Sequence, residues 1–171
     1  MKKAYFATVL FITLFLLSSC GKKTVQHPDE VIAGGKLLKY SDTREKVEDM
    51  FGKGELQEGG LKDLYKYSNA LYLYFSEEDE IRLIQLEDDN FKTYKNIHVG
   101  DDIDKVEDAF DCNIDNPRMY AVYFDGDEVI EPDSNNQIGS SDWFSISYYF
   151  DEDGKIFRIS LMDREFATLL R

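Results

Sequence analysis

Asp42-Thr43-Arg44-Glu45-Lys46-Val47-Glu48-Asp49-Met50-Phe51 and Asp101-Asp102-Ile103-Asp104-Lys105-Val106-Glu107-Asp108-Ala109-Phe110 align without a gap, and both read D-x-x-[ED]-K-V-E-D-x-F. Farther along, Tyr74-Phe75-Ser76-Glu77-Glu78-Asp79-Glu80-Ile81-Arg82-Leu83-Ile84-Gln85-Leu86 aligns equally well to Tyr149-Phe150-Asp151-Glu152-Asp153-Gly154-Lys155-Ile156-Phe157-Arg158-Ile159-Ser160-Leu161. The match runs on through Asp88 with Asp163 and Phe91 with Phe166. Two blocks recurring in one order mark a duplicated unit. The offset is 59 residues in the first block and 75 in the second, so the second copy carries 16 more, placed in the polar stretch 126–142.

Each block has a physical reading. Asp42 and Asp101 stand where a helix N-cap belongs, with Glu45 and Asp104 three residues on as in a capping box. Val47, Met50 and Phe51, like Ile103, Val106, Ala109 and Phe110, recur at helical spacing on one face, which predicts short amphipathic helices. Ala70–Phe75 and Ile81–Leu86 in the first copy, and Trp143–Phe150 and Lys155–Leu161 in the second, are rich in aromatic and aliphatic residues and predict strands. Ser76–Asp79 and Asp151–Gly154 are their hairpin turns. An earlier strand is expected in each copy, Leu64–Tyr67 and Met119–Phe124, and a further segment at Asp88–Tyr94 and Asp163–Leu170. The fold class expected is therefore α+β: two repeats of short helix plus antiparallel β-meander, spanning 38–96 and 97–171 and packed as one compact unit. One short helix covers three strands poorly, which favours copies that pair their sheets or share helices.

Upstream lies a different kind of segment. Lys2-Lys3, the apolar run Ala4–Leu17 and Leu17-Ser18-Ser19-Cys20-Gly21 make a positive n-region, an h-region and a small-residue cleavage site, a secretory leader over residues 1–19. The run is shorter than the roughly 20 apolar residues a spanning helix needs. Leu17-Ser18-Ser19-Cys20 resembles the lipobox of bacterial lipoproteins. That resemblance implies a diacylglyceryl group on the Cys20 thiol, cleavage just before it, and Cys20 as the mature N-terminus. Several acyl chains on one residue meet the requirement for stable anchoring. The expected location is the outer face of the cell membrane, or an outer membrane where one exists. Residues 20–37, with Lys22-Lys23, Pro28 and Gly34-Gly35 and little periodicity, read as a lipidated, flexible tether.

The chain carries 20 basic and 34 acidic side chains, a net charge of −14; removing Lys2 and Lys3 with the leader leaves −16. Such a protein is repelled by phosphate backbones and anionic headgroups, so nucleic acid is excluded as a partner and membrane contact falls to the lipid on Cys20. Basic partners or cations are the charge-compatible ligands. With 43% apolar and 14% aromatic residues the mature chain folds despite its charge. Once Cys20 is lipidated only Cys112 remains, so stability rests on packing; Cys112, with no CxxC partner, reads as a small half-buried apolar residue.

Gly100-Asp101 through Val106 and Phe110 forms a G-[DT]-x-x-x-x-V-x-x-x-[FL] phrase, and with the antiparallel meander behind it resembles the β-lactamase-inhibitor-protein-like fold. That fold includes the small outer-membrane lipoproteins of the SmpA/OmlA group. The tandem arrangement is similar to the inhibitor and the lipobox to the lipoprotein branch, which implies a structural place in a membrane-protein assembly as one reading. Ser41 stands where the phrase wants Gly in the first copy, and the inhibitor's disulfides cannot form here.

Enzymatic signatures are missing. His27 and His98 stand in no metal-ligand spacing, no cofactor fingerprint or nucleophile elbow occurs, and neither a metal nor a cofactor is expected. Glu77-Glu78-Asp79, Glu87-Asp88-Asp89, Asp101-Asp102 and Asp151-Glu152-Asp153 read as solvated turns; a hydrolase acting on cell-wall polymers through paired carboxylates is the rival reading. The tyrosines are more suggestive. Tyr72 and Tyr74 alternate with Leu71 and Leu73, and Tyr148-Tyr149 follow Trp143-Phe144, so each sheet is aromatic on both faces. One face is core, and the other is expected to be covered by the second copy or else to be a recognition surface. The expected function is a non-enzymatic module binding a protein or another envelope component through Tyr72, Tyr74, Trp143 and Tyr149 and through Asp127, Glu128, Glu131 and Asp133 of the 126–142 loop.

Overall fold

The computed structural model describes residues 24–58, 61, 63–68, 70–133, 138–139 and 142–169. Cys20 and the leader lie outside the described residues, as does part of the 126–142 segment. Among the described residues no helix is long and apolar enough to cross a membrane.

The protein is a mixed α and β structure dominated by antiparallel strands. Among the described residues eight strands make one sheet in the order β3 (Glu55–Leu56), β4 (Leu64–Lys66), β5 (Leu71–Phe75), β6 (Ile81–Leu86), β10 (Ile156–Asp163), β9 (Phe144–Phe150), β7 (Met119–Asp125) and β8 (Glu128–Ile130). The strands before and after residue 100 thus lie side by side and meet where β6 pairs with β10. At that junction Leu86 faces Ile159, Gln85 faces Ser160 and Ile84 faces Leu161. Both strands bulge, β6 at Arg82 and β10 at Phe157, each one residue after its hairpin closes. The expectation that one copy would cover the other's second face is not met, because the sheets join edge to edge rather than stacking.

Strand alternation decides what is buried. Leu71, Leu73, Phe75, Ile84, Leu86, Ile146, Tyr148, Phe150, Ile159 and Leu161 all point to one face and are buried. Two helices lie in this core, α1 (Arg44–Phe51) through Val47 and α2 (Ile103–Phe110) through Val106, with Phe51 and Phe110 packed beside them. The helix starts fall one residue later than Asp42 and Asp101: the caps are Thr43 and Asp102. The reason is that the earlier aspartates are occupied. Asp42 accepts the Lys39 N–H at 2.9 Å and pairs with Lys46 at 2.6 Å; Asp101 accepts the His98 N–H at 2.8 Å and pairs with Lys105 at 2.6 Å. Each carboxylate closes the turn entering its helix and reaches a lysine one turn on. At the other ends, Lys36 donates to the Met50 carbonyl beside the Phe51 ring, and Lys95 donates to the Ala109 carbonyl beside the Phe110 ring. A cation at a helix C-terminus satisfies carbonyls that have no partner within the helix.

The tether is shorter than residues 20–37. Glu30–Ala33 (β1) and Lys36–Lys39 (β2) form a hairpin across Gly34-Gly35, both at positive φ, as a two-residue turn of this hand requires. Val31, Ala33 and Leu38 are fully buried against the main core, so the two glycines mark a turn and not a flexible stretch. Ile32 also bridges to Lys92, tying this hairpin to the connection between β6 and α2. The segment Asp88–Tyr94 ends in a 3-10 turn, Tyr94–Asn96, whereas Asp163–Leu170 begins a true helix, α3 (Arg164–Leu169). The inserted segment is no plain loop either, since its first part turns at Gly126-Asp127 into the edge strand β8.

Candidate functional site

The face of the sheet away from the helices is built in rows. One row runs Lys66, Tyr72, Gln85, Ser160, Ser147, Ala121, and the next runs Tyr74, Leu83, Met162, Ser145, Tyr123. A third places Arg158, Tyr149 and Met119 side by side. The middle of the face is low and polar; the tyrosines stand at its sides, with β5 and β9 three strand spacings apart, about 14 Å. Tyr72, Tyr149, Gln85 and Arg158 stay half-buried here, whereas Leu83, Ser145, Ser147 and Ser160 between them are buried, as are Leu73, Ile84, Leu161 and Ile146 across the middle of the opposite face. Phe157, 44% exposed at the β10 bulge, lies 6.3 Å from Tyr149, and the Arg158 guanidinium sits by both rings while bonding Glu87 at 2.9 Å.

Tyr74 shares this face but is not free, since Phe166 of α3 packs on it at 4.9 Å. Phe166 is itself buried, so α3 covers one end of the face. Trp143 enters β9 at that end, edge-on to Tyr123 at 5.1 Å. Of the four aromatic residues expected to form one surface, Tyr72 and Tyr149 are brought onto the open part, Trp143 stands at its end, and Tyr74 lies under α3.

A cavity of about 550 Å3 opens beside Trp143. Tyr40, Trp143 and Phe144 line its aromatic side, and Arg82, Asp163 and Glu165 its charged side, with Asp142, Arg164 and Thr168 completing it. Tyr40 packs edge-on against Phe144 at 4.8 Å, donates its hydroxyl proton to the Arg82 carbonyl and accepts the Asp163 N–H at 3.1 Å. Burial first, then the Asp163 carboxylate, push this phenol's pKa far up, so it stays neutral. Arg82 is held by Asp163 at 2.8 Å, Glu80 at 2.9 Å and Glu165 at 3.3 Å, and its pKa is raised chiefly by the Asp163 hydrogen bond. A smaller hollow of about 240 Å3, bordered by Tyr74 and Phe166, shares Arg82 and Glu165 with the first. Sequence reasoning singled out Trp143 here but missed Tyr40, Arg82 and Glu165. The only trace of them was two acids, Asp163 and Glu165, around a basic residue at the start of α3.

The acidic group divides. Asp127, at the β7–β8 turn, is bonded by His27 Nδ1 at 3.0 Å, so the segment just before β1 is clasped to this turn. That hydrogen bond, then the Asp127 charge, raises the His27 pKa. Glu128 opens β8, and Glu128, Glu131 and Asp133 are exposed. Glu128, paired with Asp125 two residues after Tyr123, shares the face that carries Tyr72 and Tyr149 but stands at the sheet's far edge, and Asp127 lies in the turn beyond it.

Among the described residues no group of three His, Cys, Asp or Glu side chains is placed to hold a metal. The Glu30 and Asp88 carboxyls both move down from their ordinary pKa. Burial of Glu30 would raise its value, but the Lys39 ammonium at 2.8 Å and the N–H groups of Gln26 and His27 prevail; Asp88 is lowered by the Asn90 backbone and side chain. Cys112 is half-buried against the core and, among the described residues, forms no disulfide. Comparison with protein-family models, curated proteins and solved structures gave no match to this chain.

Proposed function

We propose that the chain is an exported lipoprotein, anchored through Cys20, whose domain arose by duplication of a helix-plus-meander unit and binds another envelope protein without catalysing a reaction. The observation that carries the binding reading is the row-built face, where Tyr72 and Tyr149 flank a low polar centre. Aromatic side chains with a polar end are the residues that anchor protein interfaces. In support of the duplication, the Asp42–Lys46 and Asp101–Lys105 pairs, the two helix-end lysines and the two strand bulges recur at the offsets of 59 and 75. The resemblance to the β-lactamase-inhibitor-protein-like fold is of the same kind, a likeness of helix phrase and meander.

In support of an anchored display, the clasp at His27 leaves seven residues back to Cys20, a reach of about 25 Å from the bilayer when fully extended. The partner must then come close to the membrane surface. Photocrosslinking groups at positions 72 and 149 in intact cells, with Cys20→Ser fractionation alongside, test both parts. Capture of one defined protein from both positions supports the reading. Capture equal to that from a group on the outer face of α1 overturns it, and a Cys20→Ser product that still sediments with membranes overturns the anchor.

A further inference from the structure

We infer that the 550 Å3 cavity beside Trp143 receives a lysine or arginine side chain of the partner protein, its stem against Trp143 and Phe144 and its cationic head at Glu165. This rests on the binding reading above and names the chemistry of one contact within it.

Size, surface and charge each point the same way. The hollow is open to solvent, and its volume gives room for one long side chain and its flanking backbone. Its aromatic side suits the methylene stem of a basic residue, and an aromatic face attracts the charge that stem carries. Around it stand four carboxylates, Asp142, Asp163, Glu165 and Glu80, against two guanidinium groups, Arg82 and Arg164. Arg82 is already met by three of those carboxylates, so it offers an entering anion no uncompensated charge. Glu165 meets Arg82 through Oε2 at 3.3 Å while its side chain is 73% exposed, so its carboxylate stays open to a newcomer from solvent. The wider field agrees: from Met119 to Gly154 the chain has nine Asp and Glu residues and no Lys, Arg or His. A basic segment is drawn toward this end of the sheet and kept from leaving by the same charges.

Trp143 is the only tryptophan, so its fluorescence reads the cavity directly. The purified domain is titrated at low ionic strength with acetyl-Gly-Lys-Gly-amide, and in parallel with the same peptide carrying norleucine, which keeps the stem and lacks the charge. A saturable change with the lysine peptide, absent or at least several-fold weaker with norleucine, is expected. Glu165→Gln and, separately, Asp142→Asn each weaken the lysine titration about threefold. Asp49→Asn, the same charge change on α1, leaves it unmoved. Circular dichroism melts check that each variant is folded.

Equal response to norleucine, no saturation, or an equal loss in Asp49→Asn overturns the proposal. If the peptides fail while crosslinks at 72 and 149 still capture a partner, the cavity assignment falls and the binding reading stands. If both fail, both fall.

Discussion

Replacing Leu161 by alanine removes a fully buried side chain from the strand pair that joins the two halves of the sheet, where it faces Ile84 on β6 and Ile146 on β9. Buried leucine-to-alanine changes cost the transfer of the lost carbons plus the cavity they leave, and a site closed on both sides by paired strands collapses little, so the loss is about 3 to 4 kcal/mol. For a domain of this size that lowers the melting temperature by roughly 10 °C. Urea titration is followed by two probes, circular dichroism for the whole sheet and Trp143 fluorescence for the half that carries β9. Because β6 and β10 are shared, both midpoints move down together. Leu56→Ala, on the short edge strand β3 where the side chain is 52% exposed, changes stability by less than about 0.5 kcal/mol. The reasoning fails if Leu161→Ala is near neutral, or if the two probes separate and the halves unfold independently.

Gly54 lies where a methyl group would meet the Tyr67 ring at 2.8 Å and Tyr65 at 3.0 Å, so Gly54→Ala costs about 1 to 3 kcal/mol in the same urea assay, and an unchanged midpoint refutes the close approach. Glu30 is buried with a lowered pKa, so its contribution is present above the ordinary carboxyl range and is lost as pH falls through its folded value. Glu30→Gln therefore destabilises by about 1 to 3 kcal/mol at pH 7, and the gap to the parent narrows at pH 3; a gap that does not change with pH counts against it. His27 carries a raised pKa, so the clasp to Asp127 is complete below the ordinary histidine value and is lost as pH rises through the folded one. In Asp127→Asn the His27 titration followed by NMR moves back down, and an unmoved titration shows that the contact does not persist in solution.

Much of the sheet was legible because alternation and helical spacing are local. Leu71, Leu73 and Phe75 announce their common face whatever lies around them, and Val47 and Val106 announce theirs. The β1–β2 hairpin was not, since Val31-Ile32-Ala33 and Lys36-Leu37-Leu38 are short and the glycine pair between them reads equally well as a linker. The helix starts were displaced by one because an aspartate before a helix serves either as its cap or as the acceptor that closes the preceding turn, and only the position of Lys39 or His98 decides which. Lys36 and Lys95, at the same offset as the helices, carried a signal that was overlooked: a lone lysine among so many charges shows its role only once it reaches a helix end. For the site, Tyr72 and Tyr149 followed from alternation, but Tyr74 depended on where α3 docks. The cavity depends on Tyr40, Arg82 and Glu165, which contacts distant in sequence bring together.

The pairing of β6 with β10 also bears on how the chain acquires its shape. Once Leu71–Phe75 and Ile81–Leu86 have formed their hairpin, the outer edge of β6 offers unsatisfied amide and carbonyl groups until a strand about seventy residues later in the chain arrives. An apolar ribbon with an open edge is the species most prone to wrong partnership, including with the same ribbon of another molecule. Newly made chains are accordingly most vulnerable to aggregation in that interval, and a holding chaperone that shields the β6 edge would raise the yield of folded protein.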